Sequence, residues 1–197
     1  MIKKLFGKDK ATKTKTKTNN ERGNLTMTNF TLDKTHSGID FSIKHMMVSK
    51  VKGEFTDFDA TVTGDINDLS SLNVKASVKV DSIDTNNADR DGHLKSGDFF
   101  NVEQYPEITF VSKSLTNNTI TGDLTIKDVT NEETFDLEFN GVHKNPMTGG
   151  DVTGLVVSGS INREKYGLTW NQALETGGVM VGKDVKFEVG AEFSIEG

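Results

Sequence analysis

From Ser37 onward the apolar residues recur with a period of two, and that alternation limits the fold more than any other feature of the chain. In IDFSIKH, Ile39, Phe41, Ile43 and His45 share one face while Asp40, Ser42 and Lys44 share the other. VKASVKV sets Val74, Ala76, Val78 and Val80 against Lys75, Ser77 and Lys79. The pattern returns in Ile120, Gly122, Leu124, Ile126, then in Phe135, Leu137, Phe139, Gly141, and finally in Val185, Phe187, Val189, Ala191, Phe193, Ile195. Successive strand side chains point to opposite faces, so each run is a strand with one apolar side. Less regular runs bring the expected number to eight, near 37–47, 51–66, 72–83, 106–115, 118–127, 132–143, 152–163 and 183–196.

Most connections are short and turn-like, which implies antiparallel neighbours. Only 84–105 and 164–182 have room for short helices or larger loops. A sheet with one apolar face must stack on a second layer or curl on itself, and this chain has too few helices to cover eight strands. The expectation is an all-β fold, an eight-stranded antiparallel up-and-down barrel with one or two short helices in the long loops, since closure removes exposed edges. Inward Gly122, Gly141, Gly159, Ala76 and Ala191 mark bulges and corners, or they leave room inside. Eight strands enclose an interior that is either just filled or holds one small ligand. A lumen of Phe, Ile, Leu and Val selects an apolar guest, because such burial returns about 25 cal/mol per Å².

Charge divides the chain of 197 residues. Residues 1–26 carry eight Lys or Arg against two acids, or +6, so a net charge of -6 leaves residues 27–197 with -12. The expected domains are a disordered basic tail, 1–26, and a barrel, 27–197. A body that acidic repels phosphate backbones, so nucleic acid is not an expected partner. Cysteine is absent, which excludes thiolate chemistry and cysteine-ligated zinc. No apolar run approaches the roughly 20 residues of a membrane helix. MIKKLFGKDK starts like a secretion signal, but lysines and threonines stand where its apolar segment belongs, so the expected location is cytoplasmic. Ile2, Leu5 and Phe6 beside Lys3 and Lys4 leave open a peripheral membrane contact of the tail.

The stretch DRDGHLKSGDFF, 89–100, admits three readings. Asn87, Asp89, Asp91, Gly92 and Asp98 match an EF-hand loop in spacing, but Asn opens it, Asp stands for the closing Glu, and a strand precedes it. Asp91 and His93 at i and i+2 of a helix do not converge for acid–base work. The preferred reading is structural: Asn87 caps a short helix, Gly97 ends it, and Phe99 with Phe100 plugs a barrel end as a lid. No catalytic residue, metal or cofactor is expected.

The blocks HSGIDFSIKHMMVSKVKGEF (36–55), SIDTNNADRDGHLKSGDFFNVEQYPEITFVS (82–112), ITGDLTIKDVT (120–130) and INREKYGL (161–168) resemble, in order, the hallmarks of the YceI-like family. Asp128 departs from the glycine usual there. The resemblance implies a lipocalin-like barrel whose tunnel binds polyprenyl diphosphates, polyisoprenoids or isoprenoid quinones for transport, storage or sequestration, without enzymatic activity. Ile39, Phe41, Ile43, Phe55, Phe99, Phe100, Phe110, Leu124, Phe139 and Phe187 are the expected apolar ligand contacts. His45, Arg90, Arg163 and Tyr166 are expected at a polar head. Trp170 guards the opposite opening or packs in its loop. An enzyme using the same cavity, a stress-related protein with a filled barrel, and a homodimer remain open.

Overall fold

The computed structural model describes residues 28–175 and 177–196, so the expected basic tail lies outside the described residues. Among the described residues ten strands form one antiparallel sheet: β1 (Asn29–His45), β2 (Ser49–Phe55), β3 (Phe58–Thr63), β4 (Asn73–Lys79), β5 (Ile83–Asp84), β6 (Glu107–Leu115), β7 (Thr119–Ile126), β8 (Val129–Lys144), β9 (Asp151–Asn162) and β10 (Val181–Glu196). One helix, α1 (Ala88–Lys95), stands in the β5–β6 connection. The order β3-β4-β6-β7-β8-β9-β10-β1-β2-β5 is a meander whose last long strand returns to pair with the first.

Ten strands arise where eight were expected because two runs are broken. The run 51–66 bends at Thr56 and Asp57, so that β2 pairs with β1 and β3 pairs with β4. The run 72–83 breaks at a 3₁₀ turn, Val80–Ser82, after which β5 pairs with the end of β2. Backbone bonds at the two breaks interlock, from Thr56 N to Ser82 O at 3.3 Å and from Lys79 N to Asp57 O at 2.9 Å. The bend rolls the sheet into a barrel left incompletely closed, because β1 and β3 meet without a ladder. Thr28 pins that seam, donating its N–H to Gly64 O at 2.9 Å.

Alternating strand directions place the β1–β2 turn, α1, the β7–β8 turn and the 163–180 loop at one end, here the helix end. The 64–72, 116–118 and 145–150 connections lie at the other. Leu115, Ile120, Leu137, Phe193, Val62 and Leu72 pack the far end, whereas Leu124, Ile126, Phe99, Tyr166 and Leu168 pack beneath the helix-end loops. Full burial of such side chains stabilises by roughly 1.5–3 kcal/mol each. The β7–β8 turn resolves the Asp128 departure: its positive φ, 59°, falls on Lys127, so position 128 needs no glycine. Gly141 marks a β8 bulge with φ 76°.

Candidate functional site: an apolar panel beneath the helix end

Inward residues of β7, namely Ile120, Gly122, Leu124 and Ile126, are all buried. Across the barrel, three ranks of inward residues are only half-buried. Register sets Phe55, Ile39 and Val189 side by side, then Gly53, Phe41 and Phe187, then Val51, Ile43 and Val185. These nine positions on β2, β1 and β10 make a continuous apolar panel.

Aromatic rings extend the panel in two directions. Phe41 meets Phe55 at 5.4 Å, and Phe55 meets Phe100 at 6.4 Å. Phe187 meets Phe135 edge-on at 4.8 Å, and Phe135 meets Phe110 at 6.0 Å. The glycines among them do not hold open space. A Cβ on Gly53 would lie 2.5 Å from Phe41 Cζ, one on Gly122 would lie 2.6 Å from Phe110 Cζ, and one on Gly159 would lie 2.8 Å from Phe135 Cδ1. The rings lie flat against the wall where a neighbouring Cβ is missing. The sequence reading of small inward residues as empty room is corrected in this way.

Nor is the far end hollow. An apolar cavity of about 20 Å³ lies among Phe30, Val62, Leu115, Leu137, Phe139 and Phe193, room for about one water. Phe139 therefore belongs to this packed end, away from the panel. A wider hollow of about 310 Å³ opens by the 145–150 loop, but Asp33, Asp151, Glu192 and Glu196 line it, which disfavours an apolar guest.

Polar groups gather beneath the helix-end loops. The 3₁₀ turn Arg163–Tyr166, capped by Asn162, turns two side chains inward. Tyr166 is 0% exposed and donates to Glu133 Oε1 at 3.0 Å. Burial first, then the Glu133 carboxylate, hold the phenol far above its ordinary pKa, so it stays protonated and is no base. Asn131, two residues before Glu133 on the same inward face, has its Nδ2 buried without a well-formed hydrogen bond.

Arg163 is 4% exposed, and desolvation lowers its pKa. Its guanidinium donates to the carbonyls of Gly182 at 2.8 Å, Trp170 at 3.0 Å, Val181 at 3.5 Å and Leu168. It clamps the 163–182 loop to β10, which corrects its expected place at a ligand head. Arg90 spends its Nε on Thr85 Oγ1 and an Nη2 on Thr85 O, both at 2.7 Å, while Asp91 accepts from the Thr85 N–H at 3.0 Å and from its hydroxyl. His45 stands half-buried at the rim of β1.

Asn87 caps α1 by accepting from Arg90 N at 2.9 Å. The helix stops at Ser96, in extended backbone, rather than at Gly97. His93, Phe99 and Trp170 pack ring on ring at 4.8–5.3 Å, joining α1 to the other long loop. Trp170 thus stands at the same end as α1, and its reading as guard of the opposite opening is corrected. Phe99 is buried in that cluster, whereas Phe100 reaches the panel. Leu124 lies in the packed wall opposite.

Of the residues singled out from sequence, Ile39, Phe41, Ile43, Phe55 and Phe187 come together on the panel. The sequence reading puts Val185 and Val189 inward without assigning them to the site, and it misses Val51, Asn131 and Glu133. The signal for the last two was their parity with Phe135 and Leu137 along β8.

Comparison with known proteins gives three relatives of use. The YceI-like domain family matches residues 30–193. A UPF0312 protein of Staphylococcus aureus is 64% identical over 169 residues, covering 86% of this chain and 99% of its own. The crystal structure of a Campylobacter jejuni YCEI protein is 31% identical, with TM-score 0.66, and covers 85% of this chain and 98% of that one. A polyisoprenoid binding domain from Saccharophagus degradans shares the fold at 12% identity, with TM-score 0.59, over 86% of this chain and 99% of that one.

Proposed function

The chain belongs to the YceI-like domain family, and from that premise we propose that it binds an isoprenoid lipid against the panel of β1, β2 and β10, as a carrier or store without chemistry of its own. One observation carries the reading: nine inward positions of β1, β2 and β10 form one continuous half-buried apolar wall, and it faces β7, whose inward residues are all buried. Apolar surface in that condition gains about 25 cal/mol for each Å² that a guest covers. The structural neighbour from Saccharophagus degradans, described as polyisoprenoid binding, supports the ligand class. The guest makes its room by swinging Phe41, Phe55 and Phe100 away from the wall.

The polar groups favour an uncharged oxygen head, as in a polyprenol or an isoprenoid quinone, over a diphosphate. Asn131 Nδ2, buried near the Tyr166 phenol without a well-formed hydrogen bond, can turn to a ligand oxygen, Glu133 repels anions, and Arg163 is spent on carbonyls. The expected compartment is the cytoplasm, which fractionation tests.

Trp170, the one tryptophan of the chain, reports binding from its place beside Phe99. Titration with an isoprenoid quinone in dilute detergent is expected to quench it saturably at about one ligand per chain. Linear, non-saturating quenching equal to that of free tryptophan would refute the reading. Lipid recovered unaltered supports a carrier, whereas altered lipid supports an enzyme.

A further inference from the structure

The β1–β2 turn is built against its own backbone preference. Met46 and Met47 hold φ values of 51° and 64°, and Val48 N donates to His45 O at 3.2 Å. Two central residues at positive φ define a hairpin turn that Asn-Gly serves best. Here two methionines occupy it, and they project into solvent: Met46 is 43% exposed, Met47 69% and Val48 87%. Val179, 42% exposed, lies in the adjoining 171–180 loop, where a Cβ on Gly178 would stand 3.8 Å from Met47 Cγ.

The outer face behind this tip is sorted by charge. Lys44 opposes Lys50 nearest the turn, and the next rank sets Lys52 and Lys186 on either side of Ser42. The rank after that is wholly acidic: Glu54, Asp40 and Glu188. Like charges placed opposite each other on a sheet are unfavourable for folding alone. None of the four lysines is ion-paired among the described residues. Among the described residues of the sheet, Asp184 on β10 is an acid beside the first two ranks. Four residues of strand, about 13 Å, separate Lys44 and Lys50 from the acidic rank, beyond the screening length of roughly 8 Å at physiological salt. Lys52 and Lys186 stand one rank, about 7 Å, from Glu54 and Glu188.

We propose that this tip docks on an anionic lipid surface, with Met46, Met47, Val48 and Val179 entering the headgroup layer and Lys44, Lys50, Lys52 and Lys186 against lipid phosphates. Charge complementarity selects the occupant: four lysines with Asp184 beside them leave +3 at the tip of a body that carries -12, and an anionic surface meets that tip more favourably than the rest of the molecule. The panel lies on the inner side of the same three strands, so a chain leaving the bilayer at the tip meets it directly. The docking surface stands on its own observations, whether or not the barrel holds a lipid.

The absence of cysteine permits a direct test on the full chain. Met47→Cys and, at the far end, Met147→Cys are each labelled with an environment-sensitive fluorophore. They are then mixed with vesicles of phosphatidylcholine containing one third phosphatidylglycerol, with and without nitroxide-labelled lipid. Met147 is 93% exposed in the 145–150 loop and serves as the reference. The label at 47 is expected to shift to the blue and be quenched by nitroxide, that at 147 to do neither, and the response to vanish on neutral vesicles. Equal responses at both sites, or none at 47, would overturn the proposal. The double variant M46N/M47G suits the turn better and so folds, yet it is expected to bind vesicles about tenfold more weakly, the equivalent of losing one partly buried methionine. Unchanged binding would overturn the proposal as well. Quinone quenching of Trp170 in detergent should persist in this variant, which separates failed docking from failed ligand binding.

Discussion

Arg163→Met separates a structural clamp from a ligand contact. Three carbonyls, those of Leu168, Trp170 and Gly182, lose the guanidinium as donor, while Val181 O keeps Asn171 Nδ2 at 2.7 Å. A buried carbonyl left unpaired costs about 1–3 kcal/mol, so about 9 kcal/mol is an upper bound for the three, since only the Leu168 contact is fully buried and those to Gly182 and Trp170 are half-buried. Against this, burying a guanidinium without a carboxylate partner is itself unfavourable by several kcal/mol, as its depressed pKa reflects. The net expectation is a loss of about 2–4 kcal/mol, or roughly 4–16 °C in Tm at 2–4 °C per kcal/mol for a domain of this size. Arg163→Lys keeps the charge but not the fork, so it should fall between the parent and Arg163→Met. Urea unfolding followed by circular dichroism measures both. A Met variant within about 0.5 kcal/mol of the parent would refute the clamp and return Arg163 to the ligand.

Three further outcomes are expected. Phe41→Trp should weaken isoprenoid binding by tenfold or more with little change in stability, whereas Leu124→Trp, in the packed wall, should cost about 1–3 kcal/mol of stability; titration and urea unfolding of each variant check this. Gly122→Ala brings its Cβ within 2.4 Å of Val111 O and 2.8 Å of Ser112 Cα, both backbone, whereas Gly159→Ala meets only the Phe135 and Phe187 rings. The first should destabilise by about 1–3 kcal/mol and the second by less than half as much. His36, hydrogen-bonded to Asp33 at 2.8 Å and near Glu192, titrates above its ordinary 6.5, while the same bond lowers Asp33 below 3.8. The His36 contribution to stability is therefore full below pH 6.5 and lost as pH rises through its folded value. That of Asp33 holds above pH 3.8 and is lost as pH falls through its own. In an NMR titration Asp33→Asn should bring His36 back toward 6.5.

The alternation was enough to read the meander, because period two survives wherever one sheet face is buried. It did not resolve the bend at Thr56–Asp57, where the inward positions pass from odd (Val51, Gly53, Phe55) to even (Phe58, Ala60, Val62) as the strand changes partners. It also ran β1 through to residue 47, since a turn made of Met46 and Met47 carries none of the Asn-Gly chemistry that marks a hairpin. The panel was half legible. Phe41 and Phe187 each declared an inward side, but only register shows that they lie opposite each other. The arginines misled because a buried guanidinium looks the same in sequence whether it meets a phosphate or four carbonyls.

The central claim is that the panel carries an isoprenoid. Native mass spectrometry of the protein purified from cells without delipidation, followed by organic extraction, tests it most directly. The predicted spectrum contains a population heavier by the mass of one polyprenol or isoprenoid quinone, and the extract contains that molecule intact. A spectrum of bare protein only, unchanged after incubation with either lipid, would contradict the account.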